Sequence, residues 1–504
     1  MQLTDDLRTP LMGAVPIRTG AGVRARLTKY EWLLMLVFLV SLPLSNPWVR
    51  GDGVGYYAYA RSLLVERHLN FEKDWQHGNE SFVMGRLDAN GRVLPDEYTP
   101  TGHIANLWSI GPSLLWAPFL VATHCGVLLA DALGAHIPAD GFSQPYLVTM
   151  AAATALYGFA GLWIAFRLAR RYFEERWAFL ATLAIWWGSS LPVYMYFNPS
   201  WSHAHSAFVV ALFLWYWHRT RGGRTIGQWI VLGLISGLMV DVYYPNGVLM
   251  VVPLLEAIGD YAREWKQAKH RGAAAGRLFV AHLNCAAAIA VGLLPTFISR
   301  QIIFGSPFRT GYYSVGRWAW QSPAFVRVLF SSDHGMLSWT PVLILALAGL
   351  VMFRRADWVF ADSLLIAWLA FYVVIAFYPS WDGLSSFGNR FFVSLTPLFV
   401  LGLGAFFDSL SRAWKERRAS LAASAATAIF IVWNLGLIFQ WGTHLIPERG
   451  PVSWRQAAYN QVAVVPARAA RTFERYLTGR KNLMDQIEQE DVKQLKAGQA
   501  GGNQ

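Results

Sequence analysis

The sequence has 504 residues, of which 54% are hydrophobic, 15% are charged and 24 are tryptophans. Soluble domains usually carry about 25% charged residues, so the composition excludes a disordered chain and does not fit an ordinary soluble enzyme. The apolar residues come in blocks that approach the ~20 residues a helix needs to cross a bilayer. The sequence therefore predicts a multi-span, all-α membrane protein.

The net charge of +12 comes from 43 Lys and Arg residues. Most of them lie in short loops beside apolar blocks, which is typical of topology signals rather than of nucleic-acid binding. The two cysteines, Cys125 and Cys285, lie inside apolar segments. Their positions predict neither a disulfide framework nor a CxxC metal site.

The first 30 residues are polar and basic and show no convincing cleavage site, so we interpret 1–30 as a cytoplasmic tail and 31–47 as a retained signal-anchor helix. Ten further crossings are predicted along the chain, which places the whole bundle within 31–443. They lie near 147–166, 177–196, 204–217, 228–244, 247–262, 278–298, 338–353, 360–378, 391–410 and 419–443.

One apolar segment, 107–130, is long enough to cross but is predicted not to. Without it eleven crossings remain, and the six segments that then face the cytoplasm hold 23 Lys and Arg residues, whereas the short outside turns hold one. If 107–130 crossed, the basic loops RLARRYFEER, HRTRGGR and REWKQAKHR would all face outward, against the positive-inside tendency. We therefore predict a helix lying at, or dipping into, the outer membrane face.

This topology leaves large outer segments at 48–146 and 299–337 and an outer polar tail at 444–504. The polar end of the tail predicts a short helix that fades into disorder. A large first outer loop, bearing helices next to the membrane and followed by a helix bundle, is an enzyme-like layout.

The first outer loop begins with Asp52 between two glycines, followed by an amphipathic stretch from Tyr56 to His68. Such a helix is predicted to lie along the membrane surface, and the glycines to leave room for substrates near the backbone. A carboxylate at this depth can take a proton from a hydroxyl. The alternative is a capping or turn Asp in a Gly-rich corner, and position alone does not decide between them.

The chain resembles the GT-C superfamily of membrane glycosyltransferases. A lone Asp just after the first crossing and a Tyr-rich helix behind it are similar to that group. Its members include protein mannosyltransferases and the bacterial enzymes that add aminoarabinose to lipid A. The similarity extends from about residue 30 to residue 410, and its motifs are SIGPSLLWAPF (109–119), SHAHSAFVVALF (202–213), FGSPFRTGYY (304–313), SSDHGMLSWTPVL (331–343) and WDGLSSFGNRFF (381–392).

The resemblance implies a polytopic helical fold, a polyprenyl-phosphate sugar donor and transfer with inversion at the outer face of a bacterial inner membrane. It also implies that Asp52 is the general base. Several relatives have adjacent Asp and Glu residues there, whereas Gly53 follows Asp52 in this chain. A divalent metal cofactor is therefore in doubt, and a second carboxylate would come from elsewhere.

Five acidic residues are candidates for that second carboxylate. Asp241 lies near the outer end of a crossing, where a carboxylate needs a partner, either a substrate or a neighbouring helix. The others, with a solvated loop or a helix start as the alternative explanation, are Asp96, Glu97, Asp333 and Asp382.

Three arginines stand out because the outer segments contain few cations. Arg309 and Arg317 flank an aromatic stretch, and Arg390 is the one basic residue of its turn. A guanidinium can bind phosphate oxygens in pairs and stabilise charge on a leaving group. The alternative is an arginine that reaches the membrane interface from the end of a crossing. We predict phosphate binding by Arg309 and Arg390 and leave Arg317 open between the two.

The remaining substrate-binding candidates are His203, Tyr56 and Glu97. His203 and His205 begin a crossing, and residues two apart on a helix face different ways, so they are not predicted to share a metal ion. The predicted activity is a glycosyltransferase whose partners are a lipid-linked donor and a lipid, glycan or protein acceptor. The alternatives are a flippase for lipid-linked saccharides and an oligosaccharide polymerase or ligase.

Overall fold

The computed structural model describes residues 27–267, 271–312 and 314–501, in which the ordered elements are helices and two isolated β-bridges of the first outer loop. The first ten helices are α1 (Lys29–Ser41), α2 (Asp52–Arg61), α3 (Glu72–Gln76), α4 (Glu80–Val83), α5 (Gly111–Ala132), α6 (Gln144–Ala169), α7 (Glu175–Gly188), α8 (His203–Thr220), α9 (Ile226–Val242) and α10 (Val251–Gln267). The others are α11 (Arg271–Gly292), α12 (Leu294–Phe304), α13 (Phe325–Phe330), α14 (Met336–Trp339), α15 (Val342–Phe377), α16 (Thr396–Ala413), α17 (Glu416–Gly442), α18 (Trp454–Ala463), α19 (Val465–Thr478) and α20 (Arg480–Gly501).

Six helical segments in the described ranges are long and apolar enough to cross a membrane, which agrees with a multi-pass membrane protein. They are Gly111–Ala132, Gln144–Ala169, Ala275–Gly292, Val342–Phe377, Arg390–Ala413 and Glu416–Gly442. The predicted all-α architecture is confirmed. The number of crossings stays a prediction, because several predicted crossings are shorter helices.

The segment α15 is a hairpin of two helices. Its backbone leaves the helical region at Asp357, where φ is −154° and ψ is 87°. Phe392 contacts Phe371 in the second half of the segment and, with Leu343 in the first half, lines one small cavity. The two halves therefore run side by side in opposite directions, as the separate predicted crossings 338–353 and 360–378 require.

The basic loops gather at one end of the bundle. Thr28, which precedes α1, donates a 2.6 Å hydrogen bond to Glu175 at the start of α7. Tyr172 donates to Asp357, the residue at which α15 reverses, over 2.8 Å. Arg176 donates to Glu416 over 2.5 Å. These contacts agree with the prediction that the N-terminal tail and the basic loops at 167–176, 354–359 and 411–418 lie on the same side of the bundle.

The same contacts bear on α5. Thr28 and Glu175 lie together, so an even number of crossings is expected between them, and the predicted crossings by α1 and α6 would supply two. Helix α5 runs beside the first half of α6, where Trp116 donates to Thr154 and Thr123 pairs with Thr149. This arrangement supports the prediction that 107–130 does not cross.

Helix α2 differs from its prediction. It continues as a π-helix over Ser62–Glu66, and every residue from Gly53 to Ser62 is buried. It packs beneath the first outer loop, where Ser113 donates to the Tyr56 carbonyl and Tyr59 to the Asn106 carbonyl. The predicted amphipathic surface helix is wrong, because this loop covers the face that the sequence left for solvent.

The tail also differs from its prediction. Its polar end was predicted as a short helix but forms the 22-residue helix α20, and residues 502–504 lie outside the described part of the chain. Helices α19 and α20 pack back onto the end of α1. Tyr476 donates to the Leu44 carbonyl over 2.6 Å, and Arg480 donates to the carbonyls of Pro43 and Ser45. Polar residues hold this tail because they bind exposed backbone carbonyls, which apolar patterning does not reveal.

Candidate active site

The site is built around Asp52, the first residue of α2, and Arg390, which follows the second half of α15. Arg390 Nη1 donates a 2.6 Å hydrogen bond to Asp52 Oδ2. The Asp52 side chain is 31% exposed and that of Arg390 is 12% exposed. Among the described residues the buried Nε of Arg390 has no hydrogen-bond partner. The pair therefore offers an accessible carboxylate and an unused guanidinium donor in one place.

Aromatic rings surround this pair. The Arg390 guanidinium stacks over the Trp201 ring at 4.5 Å, which is favourable for a cation held away from water. His203 contacts the rings of Tyr194 and Tyr243 at 4.7 Å and 5.4 Å. His203 therefore lies among the aromatic rings beside the pair, and its contact with a substrate stays a prediction. Its neighbour His205 instead faces Trp116 and Tyr157.

Tyr56 lies one helical turn after Asp52 and is also buried. Burial raises the pKa of the Tyr56 hydroxyl, and the nearby charge of Asp52 raises it further. Burial likewise raises the pKa of Tyr312, which reaches the same surroundings from the loop after α12. Both hydroxyls stay protonated at neutral pH, so both can donate hydrogen bonds to an anionic or sugar oxygen.

The glycines beside Asp52 serve packing and not substrate access, so that expectation is wrong. A Cβ on Gly53 would lie 1.9 Å from Ser200 Oγ, and one on Gly55 would lie 1.9 Å from the Trp108 ring. Gly51 has a φ of +53° and donates its N–H to Asn79 Oδ1 over 2.9 Å. The glycines let α2 approach its neighbours closely enough to fix the position of Asp52.

The other acidic candidates are scattered. The Asp241 side chain is fully buried, and in the described residues neither of its oxygens has a hydrogen-bond partner. Glu97 accepts a 2.9 Å hydrogen bond from the Trp75 indole, while Asp96 is exposed. Asp333 and Asp382 are neighbours: burial, and then the Asp382 charge, raise the pKa of Asp333.

Arg309, which was predicted to bind phosphate, and Arg317, which was left open, are not joined to Asp52 by any contact in the described residues. Arg309 is exposed and its guanidinium lies 6.0 Å from the centre of the Phe304 ring. Arg317 is exposed on the same loop between α12 and α13. Of the three, the structure brings Arg390 to the candidate base.

The sequence reasoning missed a buried cation on α12. Arg300 is 1% exposed and donates to the carbonyls of Asn106, Leu107 and Trp108 at 2.7 to 2.9 Å. It also donates to Tyr244 over 3.1 Å. Arg300 thus holds the strand-like 106–108 segment that covers α2. Its position at the outer end of the predicted crossing 278–298 was the available signal.

Asp52 is not part of a metal-binding group. In the ranges that the structure describes, one set of three metal-ligating side chains comes together: His444, Glu448 and Asp491. This set belongs to the tail and the turn after α17.

No protein-family model and no curated protein sequence matches this chain. Several solved structures are similar to this chain. The apo oligosaccharyltransferase of Archaeoglobus fulgidus superposes with a TM-score of 0.50 at 13% identity, covering 88% of this chain and 54% of that one. ArnT from Cupriavidus metallidurans gives a TM-score of 0.45 at 16% identity in the apo state, covering 82% and 70%. Its complex with undecaprenyl phosphate gives 0.44 at 15% identity, covering 81% and 70%.

This chain thus spans little more than half the length of the archaeal enzyme. At such identities the similarity concerns the fold, and it matches the resemblance that the sequence motifs indicate. The chain shares a polytopic helical fold with the archaeal oligosaccharyltransferase.

Proposed function

We propose that this protein is an integral membrane glycosyltransferase. It transfers a sugar from a polyprenyl-phosphate donor to an acceptor hydroxyl, with inversion, at the outer face of a bacterial inner membrane. The observation that carries the proposal is the 2.6 Å contact between Asp52 and Arg390, within a fold shared with an oligosaccharyltransferase. The donor class follows from the sequence resemblance.

The reaction needs two groups from the protein. As the acceptor oxygen attacks the anomeric carbon, Asp52 takes its proton, and the bond between that carbon and the lipid-phosphate oxygen breaks. The electron pair stays on the phosphate, whose negative charge Arg390 stabilises. The leaving phosphate needs no proton, so one carboxylate is sufficient, in keeping with the lone Asp between Gly51 and Gly53.

The surroundings of the pair suit both substrates. The Tyr56 hydroxyl is a donor beside Asp52, and Trp201 offers an aromatic face next to Arg390. Aromatic faces and hydroxyl donors are suited to binding sugars. The part of the Arg390 guanidinium that does not contact Asp52 can bind a phosphate oxygen while Nη1 holds Asp52. Donor binding and base placement therefore depend on one residue.

The test begins with the full-length protein purified in detergent. Mass spectrometry of the co-purified lipid identifies the sugar-phosphate polyprenol, which then serves as donor in a transfer assay. The variant Asp52→Asn keeps the shape of the side chain but cannot take a proton, so turnover should fall about 10²- to 10⁴-fold. Asp131→Asn, an exposed change on α5, is the matched control.

Full activity in Asp52→Asn would exclude this base and direct the search to Asp241 or Asp333. A wild-type protein that moves lipid-linked sugar across liposomes without forming a glycoside would support the flippase alternative instead. Transfer of a preassembled chain would support the polymerase or ligase alternative.

A further inference from the structure

The tail brings a second cluster of charged side chains close to the candidate active site. Asp491 of α20 accepts a hydrogen bond from Arg50, which lies two residues before Asp52. Glu488, one turn earlier on α20, accepts from the Asn79 amide over 2.8 Å and from the Ser81 N–H over 2.6 Å. The tail is therefore joined directly to the segment that places Asp52.

Within this cluster three side chains offer ligand atoms toward one point. One atom each from His444, Glu448 and Asp491 lies within 4.8 Å of the others. His444 Nε2 is 3.1 Å from Asp491 Oδ1. The Asp491 side chain is 2% exposed and that of His444 is 9% exposed. Apart from this contact, neither ring nitrogen of His444 nor Oδ1 of Asp491 has a hydrogen-bond partner in the described residues.

The charges of this cluster do not balance. Three largely buried carboxylates, those of Glu448, Glu488 and Asp491, surround one guanidinium, that of Arg50, whose Nη2 lies 3.8 Å from Glu488 Oε2. Buried carboxylates without counter-ions are costly. A proton held within the cluster, or one divalent cation bound to it, would compensate them.

We propose that His444, Glu448 and Asp491 bind a divalent cation of the zinc type. One imidazole nitrogen and two carboxylate oxygens are ligands that zinc takes in proteins, whereas calcium and magnesium sites use oxygen alone. The ion would fasten α20 to the turn after α17 and hold Arg50 in place. Its role is structural, because Asp52 is not among its ligands, and the proposal does not depend on the proposed transfer reaction.

The test measures metal content in the full-length protein. Protein treated with EDTA, incubated with Zn²⁺ and desalted should retain about one equivalent by elemental analysis. Co²⁺ in place of Zn²⁺ should give the visible absorption of a site with a nitrogen ligand. Asp491→Asn and His444→Gln should each reduce retained metal at least tenfold. Asp485→Asn, an exposed residue of α20, and His136→Gln, which is 90% exposed, are the matched controls.

A readout on the wild-type protein covers the case in which the variants do not fold. The tail contains arginines at which trypsin cuts, including Arg468, Arg471 and Arg475. Zn²⁺ should slow cleavage at these sites and EDTA should accelerate it. Retention below a tenth of an equivalent, or unchanged retention in folded Asp491→Asn protein, would overturn the proposal. The first result would mean that Glu448 and Asp491 share a proton instead.

Discussion

Arg390 holds Asp52 through a 2.6 Å hydrogen bond that joins positions 338 residues apart. The two residues were predicted separately, one as a base and the other as a phosphate ligand. Their contact implies that the two roles are linked. When a lipid phosphate binds the guanidinium, Asp52 shares its counter-ion with a second anion, so the placement of the base and the binding of the donor depend on the same side chain.

The first prediction concerns Arg390. Arg390→Gln should lower turnover roughly 30- to 1000-fold, because a charge-assisted contact in a dry site is worth about 2–4 kcal/mol. Arg390→Lys should restore part of the activity, since it keeps the charge but loses the paired donors. Initial rates at saturating donor measure both effects.

Thermal stability measurements separate a catalytic role of the Asp52–Arg390 pair from a purely structural one. Asp52→Asn leaves Arg390 without its carboxylate and should cost about 1–3 kcal/mol, less than a fully buried pair because Asp52 is 31% exposed. The double variant with Arg390→Gln should recover thermal stability but not activity. Recovery of both would assign the pair to folding alone.

A second prediction concerns the exposed arginines. If the loop between α12 and α13 closes over the donor, Arg309→Gln should raise the KM for the donor with little effect on thermal stability. Arg317→Gln distinguishes a local role of Arg309 from a general loss of positive charge on the loop. Unchanged kinetics in Arg309→Gln would mean that Arg309 does not bind the donor, and would favour the alternative that it reaches the membrane interface.

The third prediction is the topology. In a background with both native cysteines replaced by serine, single cysteines at the exposed positions 171 and 219 should be protected from an impermeant thiol reagent in intact cells. A cysteine at the exposed position 90 should be labelled. Labelling at 171 and 219 together with protection at 90 would mean that the orientation of the bundle in the membrane is the reverse of the predicted one.

The fourth prediction concerns the packing of α2. Gly53→Ala should lower both stability and turnover, because the added Cβ would lie 1.9 Å from Ser200 Oγ and 2.5 Å from Ser200 Cβ. Ser200→Gly should partly restore both by removing these atoms. Thermal melting and transfer rates measure the pair of variants, and no rescue would mean that the backbone of Ser200 at 3.3 Å is the obstacle.

The helical, multi-pass architecture was predictable from the sequence because hydropathy and the placement of Lys and Arg act locally. The hairpin at Asp357 and the shared end of the basic loops follow from these signals. Asp52 and Arg390 could each be singled out, since one carboxylate and one cation at span ends are unusual. Their contact could not, because it depends on how α2 and the segment after α15 pack.

The misplaced elements share another cause. The face of α2 that was expected to meet water is covered by the 106–108 segment, which Arg300 holds by its carbonyls. The polar end of the tail was expected to form only a short helix fading into disorder, yet side chains of the tail bind carbonyls and charges near α1. Polar contacts between distant parts of a chain leave no periodic pattern in the sequence.

The docking of α20 also sets the order in which the molecule can be completed during synthesis. Arg390 is made 338 residues after Asp52, and Asp491 is made 441 residues after Arg50. At ~5–20 residues per second these gaps correspond to roughly 20–90 s. Throughout that time the first helices are already inserted while Asp52 and Arg50 lack their counter-ions. A chain that ends before Asp491 cannot form the contact between α20 and Arg50. Its tail would then be open to proteases that the docked tail resists.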